Sequence, residues 1–135
     1  MSEHEHPMPG QQLGLLECWK GYDSQVQAVD DLDEANIITS KVKRTVLDFE
    51  PMHKVLIDVD LPAQLLPSST PGHFHLYIDK PINWVDYVDL LRALERCGIV
   101  EPGYVSASID RGFTSLRLPW IKKSDPSPAL RKWAS

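Results

Sequence analysis

Branched apolar residues and regular alternation stand out in the middle of the chain. Residues 54–61 are rich in branched apolar side chains and are followed by Pro62, a pattern typical of a buried strand. Residues 73–79 alternate between apolar and polar side chains, which predicts a second strand. One face of that strand would carry Phe74, Leu76 and Ile78, and the other His73, His75, Tyr77 and Asp79.

A helical period follows these strands. Asn83 is a good N-cap, Asp86 stands three residues later, and Gly98 is a natural residue to end a helix. One apolar stripe runs between them and consists of Trp84, Tyr87, Val88, Leu91 and Leu94. The pattern predicts a helix over residues 83–97, with Cys97 as a small core residue.

Two further runs, residues 104–109 and 113–118, have the composition of strands. Residues 110–112 between them have the length and composition of a hairpin turn. The predicted order is therefore β-β-α-β-β. Strands on both sides of one helix predict an α+β fold, in which the helix covers one face of a small, mostly antiparallel sheet.

The sequence before residue 54 carries weaker signals. Residues 13–19 fit a short helix or an irregular segment, and residues 23–36 are acidic and weakly helical. Residues 37–39 and 45–49 are short strand candidates.

The domain organisation follows from these elements and from the length of 135 residues, the usual size of one domain. We predict a disordered segment over residues 1–12, a single α+β domain over residues 13–120 and a basic tail over residues 121–135.

Composition narrows the setting. No apolar run approaches the roughly 20 residues that span a bilayer, and the N-terminal residues lack the pattern of a secretory signal. Cys18 and Cys97 stand far apart and outside any CxxC pair, so neither a zinc knuckle nor a disulfide framework is indicated. These features predict a cytoplasmic protein without a membrane partner.

The net charge of −5 hides an asymmetry along the chain. Residues 1–60 carry 12 acidic and 5 basic side chains, whereas residues 111–135 carry 6 basic and 1 acidic. A basic end attracts phosphates. The alternative is a solvated tail without a partner.

Two acidic side chains on the first predicted strand are the first candidates for chemistry. Asp58 and Asp60 are two residues apart, so a strand would point both toward one face. Paired carboxylates in an apolar strand need neutralisation, which Mg²⁺ or Mn²⁺ supplies through hard oxygen ligands. The alternative is a strand end where both acids lie in water.

Histidines, hydroxyls and an arginine could meet a phosphate near those acids. His73 and His75 share a face of the second strand and could contact phosphate or transfer protons, or else be partly exposed side chains of an amphipathic strand. The loop before them offers phosphate-binding groups on Ser69, Thr70 and Gly72, although a simple turn has the same composition. Arg117 would pair with a phosphate or form a salt bridge to Asp58, Asp60 or Asp79.

Residues 53–123 resemble a family of small, mostly uncharacterised proteins encoded by tailed phages of actinobacteria. The resemblance rests on VLIDVDLP, PSSTPGHFHLYID, the W-x-x-Y-x-x-LL helix, GIVEPGY and RGFTSLRLPWIKK. It implies a phage origin and a place in the cytoplasm of an infected bacterium, and it brings no established activity.

A more distant resemblance is to primase-polymerases of the archaeo-eukaryotic type. Asp58 and Asp60 resemble their Asp-x-Asp strand, and residues 69–75 resemble their Ser/Thr-Gly-His strand. The resemblance implies that these acids and a third, Asp79 or Asp110, hold two divalent metals. It also implies that the histidine approaches the phosphates of a nucleotide. The Arg117-Leu-Pro stretch is similar to an Arg-x-Pro stretch of some of those proteins.

Three functions follow as hypotheses. The first is a metal- and nucleotide- or nucleic-acid-binding protein, with His73, His75 and Arg117 as catalytic residues of a minimal primase-polymerase-like core, active or catalytically degenerate. The second is a non-enzymatic phage interaction module that binds a host protein or nucleic acid, with exposed tryptophans as anchors. The third is a single-metal hydrolase built on His73 and His75.

Overall fold

The computed structural model of this chain describes residues 4–17, 19, 25–43 and 52–128. Its elements are β1 (Gln11–Leu16), β2 (Val26–Val29), β3 (Ile37–Val42), β4 (Ala63–Pro67), β5 (Phe74–Ile78), α1 (Trp84–Arg96) and α2 (Pro102–Arg111). The chain divides into two compact units, residues 1–58 and residues 59–135. Antiparallel sheets of three and two strands, together with the helices, make the protein α+β, which confirms the predicted class.

The first unit contains a three-stranded antiparallel sheet in the order β2-β1-β3. Leu13, on the central strand, is 2% exposed. The next residue, Gly14, is also buried, and the side chains of the neighbouring strands leave no space for a side chain at this position. A Cβ atom there would lie 2.9 Å from Cγ1 of Val26 and 3.1 Å from Cγ1 of Ile37. The close approach of the three strands therefore depends on glycine at this position.

Amide side chains stabilise the same sheet through hydrogen bonds to its backbone. Gln11 is fully buried, and its Nε2 donates to the carbonyl of Ser40 at 2.7 Å. Asn36 accepts from the N–H of Leu16 at 2.7 Å and donates to the carbonyl of that residue at 2.9 Å. Gln11 and Gln12, within the segment that the sequence predicts to be disordered, thus lie in a hydrogen-bonded strand.

The second unit contains α1, which begins and ends as the sequence predicted. Asn83 accepts from the backbone N–H of Asp86 and donates to its carboxylate, both at 2.8 Å. Gly98 has a φ of 76°, and its N–H donates back to the carbonyl of Glu95 at 2.9 Å. The next N–H also reaches into the last turn, which completes a Schellman-type helix end.

The apolar stripe of α1 is confirmed by burial. Leu91 is 3% exposed, and the other members of the stripe, Trp84, Tyr87, Val88 and Leu94, are half-buried. The prediction for Cys97 was wrong, because this residue is the C-cap and its side chain is exposed. The helix contacts α2.

Three predicted strands are corrected by the structure. Residues 104–109 lie in α2, which has Pro102 in its first turn and ends at Gly112 with a φ of 85°. Residues 113–118 and 54–61 form no strand. Within 54–61, only Lys54 bonds to a strand in the described part of the chain, through its N–H to the carbonyl of Ser40 on β3 at 2.9 Å. Over the second unit, the order β4-β5-α1-α2 therefore replaces the predicted β-β-α-β-β.

The weaker signals of the first unit have mixed outcomes. Residues 13–19 and 23–36 hold β1 and β2 instead of helices, because strand pairing overrides their weak helical tendency. The strand candidate at residues 37–39 is confirmed by β3. The candidate at residues 45–49 lies outside the described residues.

We expect Gly14→Ala to lower the free energy of unfolding by about 1–3 kcal/mol, because the added methyl group overpacks the sheet against β-branched neighbours. Thermal unfolding followed by circular dichroism measures the change. Gly103→Ala is the matched control, since a Cβ atom there meets nothing within 4 Å. Equal midpoints for the two variants would contradict the steric argument.

Candidate functional site

The loop between β4 and β5 is closed by its own hydrogen bonds. The N–H of Ser68 donates to the carbonyl of His73 at 2.9 Å, and the N–H of His73 donates to the carbonyl of Thr70 at 3.1 Å. The N–H of Thr70 donates to Oγ of Ser68 at 3.2 Å. Gly72 has a φ of 78°, which its lack of a side chain permits. The predicted loop is therefore confirmed as a tight hairpin connection.

Arg117 reaches this loop from the segment after α2. Its guanidinium donates to the hydroxyl of Ser69 at 2.5 Å. Among the described residues, the ion pair is formed by Lys43 and Asp30 in the other unit. The alternative prediction, a salt bridge from Arg117 to Asp58, Asp60 or Asp79, is therefore not seen among these residues. The structure thus brings a predicted catalytic residue to a predicted phosphate-binding residue, with the arginine half-buried and its charge unmatched by a carboxylate.

A hydroxyl cluster fixes the segment that carries Arg117. Oγ1 of Thr114 lies 2.7 Å from the phenol oxygen of Tyr87 on α1, and its side chain also interacts with that of Tyr104 on α2. Trp84 packs edge-on against Tyr87 with ring centroids 5.7 Å apart. These contacts tie residues 113–118 to both helices. The sequence interpretation missed the cluster, although a Trp and a Tyr three residues apart on one helix face were a signal for it.

Burial raises the pKa of Tyr104 above its ordinary value, and a nearby Tyr87 adds to the rise, while the hydrogen bond from Thr114 and the charge of Arg111 oppose it. The fold therefore favours the neutral phenol. This contribution to stability is fully present below the unfolded pKa of about 10 and is lost as pH rises through the higher folded pKa.

We expect wild type to lose more stability than Tyr104→Phe as pH rises above about 10, because phenylalanine has no proton to lose. The removed hydrogen bond gives the variant a constant offset at lower pH, so the quantity to follow is the difference between the two unfolding midpoints. Denaturant unfolding across this alkaline range measures it. Two parallel curves would contradict the assignment.

The predicted histidines lie at the start of β5. His75 is in the strand, opposite Leu66, and is half-buried. His73 precedes the strand, is exposed, and forms its described hydrogen bonds through its backbone. Both follow the loop that contacts Arg117, and their catalytic role stays a prediction.

The predicted metal ligands are dispersed along exposed segments. Asp58 and Asp60 are exposed and lie in no strand, and Asp79 is exposed immediately after β5. The alternative third acid, Asp110, is exposed near the end of α2. Among the described residues, no group of three or more His, Cys, Asp and Glu side chains is arranged to hold a metal ion. The Mg²⁺ or Mn²⁺ site stays a prediction from the sequence pattern.

The hairpin has one entirely apolar face. The register pairs Ala63 with Ile78, Leu65 with Leu76, and Pro67 with Phe74, and residues paired in this way point to the same side. Four of these side chains are exposed: Leu65 by 62%, Phe74 by 58%, Leu76 by 56% and Ile78 by 47%. The opposite face carries Gln64, Leu66, His75 and Tyr77.

This apolar hairpin face, comprising those six side chains, is a feature that the sequence interpretation missed. Alternation in residues 73–79 identified its β5 half, but the partner strand was placed too early in the chain, at residues 54–61. The face has no charged side chain. Exposed apolar patches of this kind mark contact surfaces more often than isolated exposed side chains do.

The first unit has its own cavity of about 400 Å³ on the three-stranded sheet. Its lining consists of Gln12, Leu13, Val26, Ala28, Thr39, Lys41, Val42 and Lys43. None of the residues predicted to carry chemistry lies in it.

Comparisons with protein-family models, with curated proteins and with solved structures each find no match to this chain. Neither helix in the described ranges has the length and apolar content that crossing a membrane requires. The class of the protein is therefore defined by its own structure. It is a small α+β protein with an exposed apolar hairpin whose loop is hydrogen-bonded by Arg117.

Proposed function

We propose that this protein is a non-enzymatic interaction module that binds a partner protein through the apolar hairpin face. One observation carries the proposal: four large apolar side chains lie together on one face of a two-stranded sheet and are between 47% and 62% exposed. Burying them against a partner would remove apolar surface from water at a gain of about 25 cal/mol per Å².

The chemistry of the face favours protein over nucleic acid as the partner. Nucleic-acid binding depends on lysine and arginine contacts to phosphates, and the apolar hairpin face has neither residue. Leucine, isoleucine and an aromatic ring are groups that the buried centre of a protein interface uses. If the resemblance to actinobacterial phage proteins holds, the partner is a protein of the bacterial host.

We expect Leu76→Asp to abolish capture of the partner, because a carboxylate at the centre of an apolar interface would be buried without a counter-charge. Tyr77→Asp is the matched control, because it places the same charge on the next residue of β5 but on the opposite face. Immobilised protein, incubated with host lysate and analysed by quantitative mass spectrometry, measures the capture.

A partner that is retained by wild type and Tyr77→Asp but lost with Leu76→Asp supports the proposal. Equal loss with both variants, or no loss with either, removes it. A variant with His73, His75, Asp58 and Asp60 all replaced by Asn should keep full capture, which separates this proposal from the metal hypothesis.

A second candidate function is favoured by the contact between Arg117 and Ser69. We propose that the loop and Arg117 bind a phosphate group of a nucleotide or nucleic acid. The half-buried guanidinium has a hydroxyl as its partner instead of a carboxylate, so its charge is available to an anion. The hydroxyls of Ser69 and Thr70 and the N–H of Gly72 could add hydrogen bonds.

We expect Arg117→Gln to weaken phosphate binding about tenfold or more, because the charge is lost while a hydrogen bond to Ser69 remains possible. NMR titration with inorganic phosphate and with a nucleoside triphosphate, read at the amides of Ser69 and Gly72, measures binding. Arg111→Gln is the control, since its guanidinium lies 5.5 Å from the ring centre of Phe113 instead.

The same titration tests the metal hypothesis when Mg²⁺, which is diamagnetic, is added. Triphosphate binding that requires Mg²⁺ and is lost in the double variant Asp58→Ala/Asp60→Ala would favour the primase-polymerase-like function with Mg²⁺ or Mn²⁺. Triphosphate binding that is independent of the metal ion and unaffected by the double variant would favour phosphate recognition without a metal. No shift at either amide in wild type would rule out both.

A further inference from the structure

The outer edge of β5 offers unpaired backbone groups. The N–H of Asp79 donates to Pro62 and the N–H of Ser68 donates to His73, which fixes the hydrogen-bonded positions of the hairpin. In an antiparallel pair these positions alternate with positions whose backbone groups point away from the partner strand. The outward-pointing groups of β5 therefore belong to Phe74, Leu76 and Ile78, and of these the carbonyl of Ile78 accepts from the N–H of Lys80 at 2.9 Å.

The three outward N–H groups of β5 have no backbone partner within the described ranges. The outer edge of β4 is weaker as a template, because Pro67 lacks an N–H. An exposed edge with apolar residues and neither charge nor proline invites another strand. A two-stranded sheet is also marginal by itself and becomes stable with a third strand.

Residues 55–59 have the complementary property. Val55, Ile57 and Val59 stand at alternate positions and are exposed by 62%, 72% and 45%. No backbone hydrogen bond of residues 55–59 occurs among the residues that the structure describes. The segment follows residues 52–54, which pair with β3. It has the composition of a strand but no strand partner of its own among the described residues.

We propose that residues 55–59 of one copy add to the outer edge of β5 in a second copy, and that the exchange is reciprocal. Each hairpin then becomes a three-stranded sheet, and the two copies form a closed dimer. The proposal concerns the edge of the hairpin, so it goes beyond the proposed function, which concerns the face.

A second copy fits better than the same chain as the source of this strand. The hydrogen bond between Asp79 and Pro62 holds the chain on the β4 side of β5 as far as Pro62. For residues 55–59 of the same chain to reach the outer edge of β5, Asp60 and Leu61 would have to cross from one side of β5 to the other. They would also have to pass around the chain that continues at Lys80. The outer edge lies two strand spacings from β4, roughly 10 Å, so two residues are too few for this detour.

The side chains of the added strand match both faces of the hairpin. In the register that places Val55, Ile57 and Val59 on the apolar side, they extend the apolar hairpin face. Asp58 and Asp60 then fall on the opposite side, the side of His75. Carboxylate oxygens accept hydrogen bonds and an imidazole N–H donates one, so these groups complement each other between the copies. The acids and the histidine of the sequence pattern would thus converge across the dimer.

Ile57→Pro tests the exchange, because proline removes a backbone donor from the middle of the added strand. Residue 57 is 72% exposed and its N–H makes no backbone hydrogen bond among the described residues, so we expect the monomer to stay folded. We expect wild type to be a dimer by light scattering, and we expect the dissociation constant of Ile57→Pro to rise about tenfold or more. Ile57→Thr is the matched control, because it keeps the donor and the branched Cβ and should stay largely dimeric.

Hydrogen exchange locates the interface. The amides of Phe74, Leu76 and Ile78 should become protected as wild-type concentration rises, and they should stay unprotected in Ile57→Pro. A wild type that stays monomeric at every concentration, an Ile57→Pro dimer as tight as wild type, or a dimer without protection of these amides would overturn the proposal. Partner capture is measured separately, so a failure of the proposed function would not affect the test of the dimer.

Discussion

The packing of α1 against α2 is the constraint on which the second unit depends. Leu91 on α1 and Val105 on α2 are 3% and 1% exposed, and they are the buried apolar side chains in this unit's described residues. The helices also provide Tyr87, which hydrogen-bonds Thr114, and Tyr104, whose side chain interacts with Thr114. Thr114 stands three residues before Arg117, so the helix pair holds the start of the segment whose guanidinium contacts Ser69.

The hairpin has a different physical status from the helices. It consists of two short strands, and its large apolar side chains are on the exposed face. Two strands bury too little surface to be stable by themselves, so the hairpin gains from whatever covers its face or extends its edge. The Arg117–Ser69 hydrogen bond anchors the loop end and leaves the face and the outer edge of β5 accessible. Exposure of this kind is costly in a monomer and useful in an interaction module.

Local signals in the sequence were sufficient for α1 and for β5. The cap at Asn83, the glycine at position 98 and the apolar stripe each specify a helix without reference to distant residues. The same reasoning failed for α2, where alternating small residues outweighed Pro102 and Gly112, which mark the start and end of a helix. Residues 54–61 failed for another reason: strand propensity describes a side chain that fits a sheet, and it does not supply the neighbouring strand.

The sequence was sufficient to predict individual residues of the candidate site, but not how they are arranged in space. Loop chemistry pointed to Ser69 and flanking apolar residues pointed to an inward Arg117, and the structure joins them. The carboxylates depended on a strand that does not form in the single chain. Full burial of a valine or isoleucine contributes about 1.5–3 kcal/mol, so an exposed Val55, Ile57 and Val59 leave several kcal/mol unrealised. The proposed exchange of strands between two copies would supply the missing neighbour and account for a buried-strand pattern in an exposed segment.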